Sequence, residues 1–266
     1  MSDQETKIGF AILILIFIIS ACSAGSYGSR GNQSMHDSIN TALSTELVEE
    51  YRAALTQVVG QDSGGISEEN LGQLYFHIGN LGKDKRSMLK AEEIFHQILG
   101  KDPNNAEILA YLGTAYLIKA RDFPMKWIAN VTPLGFYRLH YVQKGNDMLS
   151  AAVRMDDKNP IIRHMRSTAW VNLPRQFGKF DEGFADLELL LLWLDHPELN
   201  RRFAGLLLDE GFSSMILFQA GEAYLRKDDQ KTAKYMYEQA AKAGADNPYG
   251  RAALRKLSVA DLFAGN

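Results

Sequence analysis

Large apolar side chains recur every three or four positions over most of this chain, and no stretch alternates apolar and polar residues as a strand would. A spacing of three to four gathers side chains on one face of an α-helix, whereas a half-buried strand needs a period of two. Ile39, Leu43, Leu47, Tyr51, Leu55 and Val58 make one such stripe, on a helix of about six turns ending near Gly60. The loop QDSGGIS then leads to a helix starting around Ser67, with Glu68 and Glu69 in its first turn, where a helix dipole favours acidic groups. The pattern predicts an all-α fold. With 266 residues, 46% of them hydrophobic, the chain can bury a sizeable core as one domain or two.

Within that pattern, AEEIFHQILGKDPNNAEILAYLGTAY (residues 91–116) has a more specific order. Small Ala91, large Phe95 and apolar Ile98 precede the turn Asp102-Pro103-Asn104-Asn105, and Leu109, Leu112, Gly113 and Tyr116 follow it. This order resembles the tetratricopeptide repeat (TPR), a helix-turn-helix unit of about 34 residues. In that family a glycine at position 8 and an alanine at position 20 let two antiparallel helices approach closely. Large residues at positions 4, 7, 11 and 24 fill the space beside the contact, and a proline stops the second helix.

The resemblance frames four units. Residues 72–105 hold Tyr75, Ile78 and Gly79 at positions 4, 7 and 8 and Ala91 at position 20, with Gly82 departing at position 11. Residues 106–159 run through Tyr116, break at an aromatic-rich insertion (120–141), and resume with Gly145, Leu149 and Ala152; Asp157 stands where proline is expected. Residues 160–197 give a degenerate unit, with Trp170 at position 11 but Arg163 and Arg166 at positions expected to be apolar; FDEGFADLELLLLWL is its second helix. Residues 214–247 match best, through Leu217, Ala220, Gly221, Tyr224, Ala233, Tyr237 and Ala240. RAALRKLSVADLF is then expected to form the terminal helix that covers the last apolar face of a stack. The implied architecture is a TPR-like helical-repeat solenoid of antiparallel helix pairs over 67–262, preceded by an N-terminal helix and loop over 37–66.

Such a stack presents a concave groove that binds a peptide, a helix or another protein. The family's groove positions are 2, 5, 9 and 12 of each first helix. Carried over, they fall on Gln73, Phe76, Asn80 and Lys83; on Glu107, Ala110, Thr114 and Leu117; and on Met215, Phe218, Glu222 and Leu225, each of which has simple packing between repeats as its alternative role. TPR clamps for a chaperone's C-terminal carboxylate need basic residues where Phe76 and Ala110 stand, so that ligand class is rejected. The groove is mixed and moderately apolar, which favours an amphipathic helix or hydrophobic peptide. A second candidate surface is the insertion, where Phe123, Trp127, Phe136 and Tyr137 are set among Pro124, Pro133 and Gly135 and either project a hydrophobic lip over the groove or cover the helix-pair core.

The only cysteine, Cys22, ends an apolar run, IGFAILILIFII (residues 8–19), that has the length of a signal-peptide core and falls short of the roughly 20 residues a bilayer-spanning helix needs. Ile19-Ser20-Ala21-Cys22 resembles the bacterial lipobox. That resemblance implies cleavage before Cys22, a signal peptide over 1–21, and acylation of the Cys22 thiol, which anchors the chain by more than one acyl group. Ser23 after the cysteine resembles an outer-membrane sorting signal. The n-region departs from the pattern, since Asp3 and Glu5 oppose Lys7; an uncleaved anchor and a secretory signal cut near Ala24 are the alternatives. Residues 22–36, rich in serine and glycine, are expected to be a flexible tether.

Other chemistry is excluded or thin. The 29 basic and 32 acidic residues are mixed along the chain, so no basic stripe suggests nucleic acid. The six histidines form no close ligand pair, no metal or cofactor is expected, and no nucleophile, base and orienter come together. Asn130-Val131-Thr132 is a formal glycosylation sequon followed by Pro133 and is read as chance. The sequence thus points to a non-enzymatic lipoprotein of the bacterial cell envelope, binding a peptide or protein partner as scaffold or assembly subunit, and specifies no oligomeric state. The alternative is a solute-binding component, because some envelope TPR lipoproteins associate with TRAP-type solute transporters.

Overall fold

The computed structural model describes residues 30–60, 67–123 and 134–264. Among them are eleven α-helices and no strand. They are α1 (Arg30–Gly60), α2 (Glu68–Leu81), α3 (Lys85–Lys101), α4 (Ala106–Arg121), α5 (Leu134–Met155), α6 (Pro160–Asn172), α7 (Phe180–Asp195), the single turn α8 (Ala204–Leu207), α9 (Glu210–Arg226), α10 (Gln230–Ala243) and α11 (Pro248–Ala264). Most starts are set by a capping side chain. Ser67, Asp84, Asn105, Asn159, Asp209, Asp229 and Asn247 each accept a hydrogen bond from a backbone N–H two or three residues on, which satisfies an otherwise orphaned donor.

Successive helices pack as hairpins: α2 with α3, α4 with α5, α6 with α7, and α9 with α10. Two of these contacts require glycine. A Cβ on Gly79 would come 2.7 Å from the backbone nitrogen of Met88, and one on Gly113 would come 3.0 Å from the carbonyl oxygen of Gly145. Neighbouring hairpins share one core from α2 to α6, centred on Phe95, Leu112, Leu149 and Trp170, and a second from α6 to α9, centred on Phe184, Leu190 and Ile216.

The third core joins the two ends of the described chain. Ile39, Leu43 and Leu47 of α1 pack with Phe218 of α9, Tyr237 of α10, and Ala252, Ala253 and Val259 of α11. The same helix α1 also lies against α2. The row α2, α4, α6, α9 and α11 is therefore closed into a ring by α1. The terminal helix α11 packs on α9 and α10 and also meets α1.

Three further differences from the sequence reading have local causes. Helix α1 begins at Arg30, so the latter part of the expected tether is helical, and Cys22 lies outside the described residues. The insertion is shorter than expected, because residues 134–141 are the first two turns of α5 and 120–121 end α4; Trp127 lies outside the described residues. In the degenerate third unit, Arg163 and Arg166 replace apolar contacts with ion pairs. Both reach Asp186, which is 1% exposed on α7, at 2.6 and 2.5 Å. Among the described residues no helix is long and apolar enough to cross a membrane.

Candidate functional site

The groove residues expected from sequence separate into two groups. On the last unit the expected groove positions are covered. Phe218 is 4% exposed within the α1 core, and Leu225 packs beside it. Glu222 accepts hydrogen bonds from Asn40 of α1 (2.9 Å) and from the Tyr237 hydroxyl (2.5 Å), and its carboxylate lies 2.7 Å from the ammonium of Lys256. Although burial raises the Glu222 carboxyl, Lys256 and these donors outweigh it and hold the pKa below its ordinary value. Helix α1 therefore covers the expected groove positions of this unit. Met215 is half-buried against the neighbouring core.

On the first two units the picture differs. Phe76, Ala110 and Leu117 are core residues. Phe76 lies edge-on to Tyr111 with ring centroids 5.1 Å apart. Gln73 donates to Glu107 at 3.0 Å, and Asn80 accepts from Arg121 at 3.1 Å. The Thr114 hydroxyl bonds back to the Ala110 carbonyl, and Lys83 is exposed just after α2 with a positive φ of 52°. Glu107 is half-buried, and burial leads in pushing its carboxyl up.

Between these helices lies a cluster that the sequence reading missed. Tyr51 of α1 stacks on His77 of α2 with centroids 4.7 Å apart and planes 10° from parallel. Tyr111 of α4 meets the same imidazole edge-on at 6.0 Å. Across the ring, His164 of α6 lies near enough to His77 for the charge of one to disfavour that of the other. His164 packs on Phe212 and approaches the Thr168 hydroxyl, which donates to Gln219 at 2.6 Å. Tyr249, at the start of α11, is coupled electrostatically to Tyr51. Five helices thus converge on one interior.

Burial holds His77 at a pKa of about 4, and burial together with His77 holds His164 at about 4, so both are neutral at pH 7. The phenols of Tyr51, Tyr111 and Tyr249 are all raised, first by burial. Tyr111 follows His77 by one repeat length, one position after the expected groove residues. That coincidence of register was the available signal.

The outer face carries a second, open feature. A cleft of about 530 Å³ runs along α5, lined by Phe136, His140, Gln143, Asp147, Phe177 and Lys179. Phe136 and Tyr137 are each 61% exposed beside it, and Phe123 lies 6.4 Å from the ring of Tyr141. Among the described residues no group of three or more His, Cys, Asp or Glu side chains is placed to hold a metal. Compared with protein families, curated proteins and solved structures, the chain matches none. The described residues define an all-helical class, built of stacked helix pairs and closed by α1.

Proposed function

We propose that this protein is a non-enzymatic lipoprotein of the bacterial cell envelope, built from TPR-like units and tethered through acylated Cys22, that binds a small solute within its ring of helices. The observation that carries the reading is the docking of α1. Ile39, Leu43 and Leu47 cover Phe218, so the last unit offers no open groove to a peptide. The inward side chains left over are aromatic and hydrogen-bonding ones, which suit a small ligand. Some envelope TPR lipoproteins associate with TRAP-type solute transporters, and a likeness to them in architecture alone supports the same reading. A scaffold role would use the outer cleft of α5, where Phe136 and Tyr137 are exposed.

The test is native mass spectrometry of the full-length protein purified from its own envelope in mild detergent, after brief crosslinking in a parallel sample. An acylated Cys22 peptide with a retained small molecule is expected. An empty protein crosslinked to one envelope partner through the α5 face would overturn solute binding in favour of the scaffold, and an unmodified Cys22 would remove the lipid anchor.

A further inference from the structure

The interior cluster has three properties that together narrow the ligand. The first is unused hydrogen-bonding capacity. The hydroxyls of Tyr51, Tyr111 and Tyr249 and the nitrogens of His77 make no hydrogen bond to another described residue, whereas other enclosed phenols such as Tyr237 do. None of these atoms is among the sealed polar atoms without a partner, which are His36 Nδ1, Asn40 Oδ1 and Asn200 Oδ1. A polar atom that is unpaired yet not sealed faces accessible space. Tyr111 is buried and Tyr51, His77 and Tyr249 are half-buried, and the four come from four different helices of the ring, with Tyr51 and Tyr111 both against the His77 imidazole.

The second property is the wall itself. Tyr51, Tyr111 and Tyr249 bring aromatic surface from α1, α4 and α11 to one locality. An aromatic face carries negative charge density and attracts a cation most strongly where water is excluded.

The third is the sign of the field. Glu50 acts on both Tyr51 and Tyr249, and Glu107 acts on Tyr111; in each case the carboxylate disfavours a second negative charge. No lysine or arginine contributes at these phenols. The buried ammonium of Lys256 is matched by Glu222, and His77 and His164 are uncharged at pH 7. An anion would enter this space against carboxylates with no cation to receive it.

We infer that the interior bounded by Tyr51, His77, Tyr111, His164 and Tyr249 is a binding site for a small organic cation, an amine or quaternary ammonium compound. The inference rests on the solute-binding reading above and names its ligand class. Aromatic faces take the cationic head, Glu107 supplies compensating charge from one side, and the neutral imidazoles accept hydrogen bonds from an amine.

The experiment is titration calorimetry on the full-length protein in detergent, with tetramethylammonium and putrescine as probes. tert-Butanol serves as an uncharged analogue of similar shape and acetate as an anion. Saturable binding of either cation is expected, with no binding of tert-butanol or acetate. Tyr111→Leu is expected to weaken the cation about tenfold. Tyr111→Phe keeps the aromatic face and loses the hydroxyl, so it is expected to weaken the cation less than Tyr111→Leu does, and circular dichroism of both variants distinguishes a loss caused by misfolding. Glu107→Gln is expected to weaken the cation and leave helicity unchanged.

Equal binding of tert-butanol and tetramethylammonium would overturn the cation inference and leave solute binding intact. So would an uncharged or anionic molecule retained in the native mass spectrum. Absence of any retained molecule, together with failure of all four probes, would overturn both.

Discussion

Lys256 and Glu222 form an ion pair at 2.7 Å in which the lysine side chain is fully buried, and the same ammonium lies 3.3 Å from the carbonyl of His36 on the first helix. Burial pulls the Lys256 pKa down, while Glu222 opposes it. This pair holds the closure of the ring, because Asn40 of α1 binds the other Glu222 oxygen and Arg251 of α11 binds Glu46 of α1 nearby. Removing one partner leaves the other charge poorly compensated, which typically costs about 3 kcal/mol or more. Lys256→Met is therefore expected to lower urea-measured stability by about that amount. Lys256→Met combined with Glu222→Leu is expected to recover much of the loss, because neither charge is then stranded. A single variant as stable as the parent would show that the ends are held by apolar packing alone.

The two inward histidines set a pH dependence. Both have folded-state values of about 4 against an unfolded value near 6.5. The unfolded chain therefore binds more protons, and stability falls as pH drops below about 6.5, with the loss complete only near the folded value. By pH 5 each histidine is expected to cost about 2 kcal/mol. His36, also lowered by burial and Lys256, acts with the same sign. Urea midpoints between pH 7.5 and 5 test this in a range where carboxylates with ordinary pKa values stay ionised. His77→Gln is expected to flatten the curve, and an unchanged slope in that variant would assign the dependence elsewhere.

Helix content was legible because it is written locally. Ser67, Asn105 and Asp229 cap helices, and Gly79, Gly113 and Gly145 mark close approaches at the spacing that the repeat pattern uses. Ring closure was not legible. The contacts of Ile39 and Asn40 with residues around 218–256 join distant parts of the chain, and no local pattern encodes such a pairing. The inward-facing cluster was half legible. Gln73 and Glu107 were placed on the concave side and do meet, whereas His77 and Tyr111, adjacent to core and groove positions alike, read as ordinary helix residues. Phe76 and Phe218, carried over as groove or inter-repeat packing positions, are both buried, because an apolar side chain beside a groove and one beneath an added helix have the same sequence pattern.

Asp186 shows how a polar core can obscure a repeat. Its carboxylate receives Arg163 at 2.6 Å and Arg166 at 2.5 and 2.7 Å, and the Arg166 guanidinium also lies 4.6 Å from the ring centroid of Trp170. Asp186→Ala is expected to destabilise by about 3–5 kcal/mol, since two enclosed guanidinium groups lose their counter-ion. Replacing all three with leucine is expected to be much milder, and it would bring the third unit closer to the apolar pattern of its neighbours. A triple variant no better than Asp186→Ala would mean that the arginines hold the α6–α7 geometry by direction as well as by charge.

Gly79 and Gly100 both sit in helical segments and should respond to alanine in opposite directions. At Gly79 the added methyl would meet the Met88 nitrogen at 2.7 Å and its Cα at 2.9 Å. Those are backbone atoms of the partner helix and cannot rotate away, so α2 and α3 must separate. Overpacking of this kind costs about 1–3 kcal/mol. At Gly100, within α3, nothing lies within 4 Å of the added methyl, so only the helix preference for alanine remains, a gain of about 0.5 kcal/mol near a helix end. Thermal unfolding of the two variants separates close packing from intrinsic propensity. A Gly79→Ala protein as stable as the parent would mean that the α2–α3 hairpin can open without loss, and the glycine spacing would no longer explain why these helices pair.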